Sequence, residues 1–119
     1  MPETQEFIYV LRPTRVAMLT DGPTEDEAAT IGEHFAYLQD LTSKGVVVLA
    51  GRTTNNDAST FGIAVFRAAS EPDARRIMET DPAVRCRVMS ATLYPFRIAL
   101  LALARPLDDR VPTGWPAGR

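Results

Sequence analysis

The sequence predicts an α+β domain, a four-stranded antiparallel sheet with two helices on one face. Three observations predict it. Four short apolar runs carry strand-forming residues, at Phe7–Leu11, Val46–Ala50, Phe61–Phe66 and Met89–Phe96. Two amphipathic stretches with helix-start chemistry, near 24–44 and 71–80, separate the first from the second and the third from the fourth. A polar link rich in Asn and Asp joins the middle two strands, which suits a hairpin and not a crossover. The order β-α-β-β-α-β is the ferredoxin-like arrangement.

Phe7–Leu11, FIYVL, is apolar on alternate residues of both sides: Phe7, Tyr9 and Leu11 on one, Ile8 and Val10 on the other. It is buried on at least part of both faces. A monomer would leave one apolar sheet face wet, so a homodimer packing sheet to sheet is expected. Arg15–Pro23 reads as a connection, with Asp21-Gly22-Pro23 as turn chemistry.

The first helix begins at Thr24. Thr24 and Glu27 have the spacing of a capping box, and the acids at 25–27 suit the positive end of the helix dipole. Ala28, Ile31, Phe35, Leu38 and Thr42 recur at 3-4 spacing and share one face, expected to be the buried one. Gly45 is the left-handed stop. The chain's single histidine, His34, falls on or beside this face. It is either a satisfied core residue or half of a functional pair.

Val46–Ala50 is the second strand, with Gly51 after it. Thr53–Thr60 is the turn and Phe61–Phe66 the third strand. Ser70 and Asp73 mark the second helix start, with Pro72 tolerated in its first turn. Pro82 disfavours helix at Asp81, so that helix stops there. Ala83–Val88 is an Arg-rich link. Met89–Phe96 is the last strand, and Pro95 suggests an edge or a bulge. Residues 1–100 make the domain. Residues 101–119 are a tail with Trp115 as a candidate anchor.

At 119 residues, 45% hydrophobic and 24% charged, the composition is that of one globular domain. The formal charge is −2 and no basic stripe with interleaved aromatics occurs, which argues against a nucleic-acid partner. The longest apolar run, Ile98–Ala104, is far short of a membrane span. With one cysteine, Cys86, and a polar start to the chain, a cytoplasmic protein is expected. One His and one Cys far apart make no recognised metal-ligand spacing, and no nucleotide-binding or nucleophile-elbow motif is present, so neither metal nor organic cofactor is expected. Cys86 lies between Arg85 and Arg87. It is either a thiolate of raised reactivity or an inert small residue.

Asp81 is either a turn residue before proline or a carboxylate brought against His34 by the side-by-side packing of the two helices. Arg12 and Arg52, at strand ends, are candidates to hold a substrate anion or are solvated charges. Gly51 leaves room for a ligand to approach the backbone, and Tyr37 lies one turn from His34.

The stretches E-H-F-A-Y-L-Q-D-L, G-V-V-V-L-A-G-R, F-G-I-A-V-F, A-R-R-I-M-E-T-D-P-A-V-R and Y-P-F-R-I-A-L together resemble the YCII (YciI-like) family over Phe7 to Leu100. Its most specific marks here are His34 within H-x-x-Y-L, Ala50-Gly51 and Asp81-Pro82. The resemblance implies a ferredoxin-like dimer of the dimeric α+β barrel type, with His34 and Asp81 paired at the mouth of a pocket. It also implies chemistry on small ring compounds, including loss of HCl from chlorinated hydroxyquinol-type rings. The expectation is a small homodimeric enzyme of lyase or isomerase type. His34 is its general base, Asp81 orients the imidazole, and Arg12, Tyr37, Gly51 and Arg52 face the substrate. A non-catalytic ligand-binding or accessory dimer, and a cofactor-free monooxygenase, are the rival readings.

Overall fold

The computed structural model describes residues 4–102. Its elements run β1 (Gln5–Pro13), α1 (Ala17–Thr20), α2 (Glu25–Ser43), β2 (Val47–Arg52), β3 (Gly62–Ala68), α3 (Glu71–Thr80), α4 (Pro82–Arg85) and β4 (Met89–Phe96). The strands form one sheet in the order β2-β3-β1-β4, and every neighbouring pair is antiparallel. This is the ferredoxin-like α+β arrangement expected of the sequence.

Strand alternation decides which side chains face the helices. Phe7, Tyr9 and Leu11 of β1 align with Phe66, Ala64 and Gly62 of β3, and with Pro95, Leu93 and Ala91 of β4. Leu38 from α2 and Ala74 and Met78 from α3 close over them in one core. The Tyr9 ring meets Phe66 edge-on at 5.5 Å. Pro95 is accommodated because β4 is an edge strand.

Local chemistry sets the helix ends. Thr24 and Glu27 form the reciprocal box: the Glu27 N–H donates to Thr24 Oγ1 at 3.1 Å, and the Thr24 N–H donates to Glu27 Oε1 at 2.8 Å. Arg15 clamps the same carboxylate at 2.6 Å. That hydrogen bond is the main reason the Glu27 carboxyl is held down at about 2. Beyond Lys44 the chain leaves α2 through Gly45 at φ +77. Ser70 caps α3 by accepting from the Asp73 N–H at 3.3 Å.

Three readings are corrected. The connection over 15–23 contains α1, a four-residue turn of helix with no side-chain cap to announce it. The link over 83–88 begins inside α4, because Asp81-Pro82 starts a helix as well as ending one. The expected buried face of α2 is the third. Leu38 is buried, but Ala28, Phe35 and Thr42 are exposed, Phe35 by 66%. The packed stripe is displaced by about a residue and runs through Thr30, Ile31, His34, Tyr37, Leu38 and Leu41. Residues 103–119, including Trp115, lie outside the described residues. Among those described, no helix is long and apolar enough to cross a membrane.

Candidate active site

The site grows from Asp81. Proline at 82 keeps Asp81 out of helical geometry, at φ −58 and ψ 124, so it ends α3 and caps α4 with one side chain. Its Oδ1 accepts the Ala83 N–H at 2.9 Å. Asp81 is fully buried. An unpaired carboxylate there would cost several kcal/mol. It is instead surrounded by donors. Tyr9, from the middle of β1, donates its hydroxyl to Oδ2 at 2.7 Å. His34, from the middle of α2, places Nδ1 at 2.7 Å from Oδ1 and 2.9 Å from Oδ2.

This geometry fixes the chemistry of the imidazole. A carboxylate that accepts from Nδ1–H holds the neutral ring in the tautomer whose Nε2 carries a lone pair. Nε2 has no hydrogen-bond partner among the described residues. The ring is partly buried, with 15% of its side chain accessible, and it lines a cavity of about 990 Å³. A protonated imidazole would be paired at once with Asp81. The arrangement can therefore accept a proton from a molecule in the cavity and hold it.

The cavity lies between α2 and the β2–β3 hairpin. Met18 and Leu19 of α1 contribute to the lining. Ala28, Ile31, Phe35, Leu38 and Thr42 all line it. The apolar stripe legible in the sequence is thus largely a cavity wall, and Tyr37, Leu38 and Leu41 do the core packing.

The remaining expected site residues divide. Gly51 and Arg52 line the cavity together with His34. A Cβ added at Gly51 would meet nothing within 4 Å, so packing does not demand a glycine there. The Arg52 guanidinium is steadied by the hairpin loop, donating to the Thr53 carbonyl at 2.8 Å and to Asn56 Oδ1 at 2.8 Å. Arg12 is not among the lining residues. It has the strand parity of Ile8 and Val10, opposite to Tyr9, and its guanidinium sits 5.3 Å above the Phe61 ring. Tyr37 also stays out of the lining. Its hydroxyl donates to the Ile77 carbonyl at 2.7 Å, and burial, helped by the Asp81 charge, pushes it up to about 12. Cys86 is exposed. No group of three His, Cys, Asp or Glu side chains suited to a metal occurs among the described residues.

Sequence reasoning missed Tyr9 and the α1 residues. Alternation placed Tyr9 on one face with Phe7 and Leu11, but its hydroxyl meets a partner 72 residues away. Burial, and then the charge of Asp81, push this phenol far above its ordinary range, so it remains a neutral donor.

A family model described as YCII-related domain matches residues 9–97. Among solved structures, the chain is similar to 5-chloro-2-hydroxyhydroquinone dehydrochlorinase from Burkholderia phenoliruptrix AC1100, in complex with 2,5-dihydroxybenzoquinone. That likeness has a TM-score of 0.56 and 17% sequence identity, covers 76% of this chain and 93% of the other, and is one of fold. No curated protein matches the chain.

Proposed function

The chain belongs to the YCII-related domain family, and on that premise we propose that it is a small-molecule enzyme working by proton transfer, with His34 as general base and Asp81 as its orienting partner. The observation that carries the reading is the hydrogen-bonded pair itself. The Nδ1 of His34 lies 2.7 Å from a buried carboxylate, and the ring lines a largely apolar cavity of about 990 Å³. That volume is at the upper end of small-molecule sites.

The substrate class is a small ring compound bearing an acidic C–H or O–H. The similar solved enzyme is a dehydrochlorinase of a chlorinated hydroxyhydroquinone, caught with a dihydroxybenzoquinone, which supports an oxygenated ring. His34 Nε2 takes the proton and the imidazolium rests against Asp81. In lyase chemistry the electron pair released expels a leaving group. In isomerase chemistry the same proton returns to another atom. Arg52 holds an anionic oxygen, and Gly51 lets the ring lie close to the strand. The enzyme works as a homodimer that covers the sheet face away from the helices, where Tyr94 and Phe96 are 49% and 42% exposed.

The test is a panel of catechols, hydroxyquinols and lactones, with wild type and His34→Ala side by side. Substrate loss without oxygen consumption, abolished in His34→Ala while the fold is retained, is the expected result. Oxygen uptake would move the assignment to a cofactor-free monooxygenase. Saturable binding without turnover would move it to a binding or accessory dimer. Sedimentation as a monomer at tens of micromolar, about where a specific interface should hold, would remove the dimer.

A further inference from the structure

We propose that Tyr9 is a positioning residue for His34, acting through Asp81: its hydroxyl pins the plane of the carboxylate and draws off part of its charge. The inference builds on the reading of His34 as a base, but its test needs no substrate.

Two donors fix the carboxylate from opposite ends. The Ala83 N–H holds Oδ1 at 2.9 Å, and the Tyr9 hydroxyl holds Oδ2 at 2.7 Å. His34 Nδ1 then sits between the two oxygens at 2.7 and 2.9 Å. The backbone donor belongs to α4 and the hydroxyl to the central part of β1, so the carboxylate is tied to both layers of the fold. Tyr9 is itself fully buried and locked edge-on against Phe66, so its hydroxyl has little freedom to leave.

The consequence is electrostatic as well as geometric. A carboxylate with no donor but the imidazole stabilises the imidazolium strongly, which makes the ring slow to release its proton. Sharing the charge with a neutral phenol moderates that hold. The other polar groups around the ring do not substitute for it. Tyr37 on α2 is committed to the Ile77 carbonyl, and Arg52 reaches the cavity from β2 with its guanidinium held by the hairpin loop. Glu33 on α2, Glu79 on α3 and Arg85 on α4 are exposed. Neither α1 nor β4 carries a charged residue.

His34 is the chain's single histidine, so a proton NMR titration reads it without ambiguity. In Tyr9→Phe its proton affinity should rise about threefold or more, as a charged acceptor loses one of its donors. In an Asp81→Asn background, the same Tyr9→Phe change should leave the affinity nearly unmoved, because the route runs through the carboxylate. An affinity that is unchanged or lower in Tyr9→Phe, or an equal shift in both backgrounds, would overturn the proposal. Should Tyr9→Phe fail to fold, a fluorinated tyrosine placed at position 9 is a stronger donor. It should lower the affinity of His34, and no change there would refute the role. A wild-type protein without turnover on any ring compound removes the catalytic reading and leaves this measurement intact.

Discussion

Phe35 and Leu38 are both members of the apolar stripe on α2, and their truncations should separate cavity wall from core. Both line the cavity, but Leu38 is only 8% exposed and belongs to the core, whereas Phe35 is 66% exposed and lies outside it. A fully buried Phe removes about 150–250 Å² from water. With a third of that removed, Phe35 contributes roughly 50–80 Å², or about 1–2 kcal/mol at ~25 cal/mol per Å². Alanine is the better helix former, returning about 0.5 kcal/mol. Phe35→Ala should therefore cost about 1 kcal/mol, and Leu38→Ala about 2–5 kcal/mol with its cavity. Urea denaturation of both variants at one protein concentration measures the difference directly. A loss for Phe35→Ala of about 3 kcal/mol or more, the range of buried Phe truncations, would show that Phe35 is a core residue and refute the displaced packing of α2.

Asp81→Asn should stay folded and lose about 10²–10⁴ of its turnover, because a neutral amide no longer supports the imidazolium. Kinetics on any substrate found in the panel checks it. Gly51→Val should leave the urea midpoint near that of wild type, since a Cβ there meets nothing within 4 Å. The Glu27 carboxyl, held at about 2 by Arg15 and the Thr24 backbone, gives stability that is present above its ordinary value near pH ~4.3 and is lost as pH falls through about 2. Glu27→Gln should therefore be less stable than wild type at pH 5, with a gap in melting temperature that closes towards pH 2.

What the sequence revealed followed from chemistry that is local. The Thr24–Glu27 box, the Ser70 cap, the Gly45 stop and the hairpin link all act within a few residues, so the main helices and the succession of strands and helices along the chain could be read directly. Strand limits could not, because pairing carries β1 out to Pro13, opposite Met89. Asp81-Pro82 carried both a stop and a start, and only the stop was read. The stripe on α2 was correctly seen as apolar, but apolarity does not distinguish a core from a cavity wall. His34 and Asp81 were singled out because one is unique and the other stands before proline, while the resemblance supplied the pairing. Tyr9 gave no such sign: in a strand its ring satisfies the apolar pattern, and its hydroxyl matters only once β1 lies beneath the end of α3. Alternation puts Arg12 on the face of Ile8 and Val10, but both faces of that strand are apolar, so the sequence did not say which one carries the site.

The central claim is that His34 presents a bare Nε2 to the cavity because Asp81 holds the proton on Nδ1. Nitrogen-15 NMR of the one imidazole in the chain measures this in the resting protein. The neutral ring should show Nδ1 protonated and Nε2 unprotonated in wild type, with a mixture of tautomers appearing in Asp81→Asn. A wild-type ring protonated on Nε2 would leave no base facing the cavity and would contradict the account.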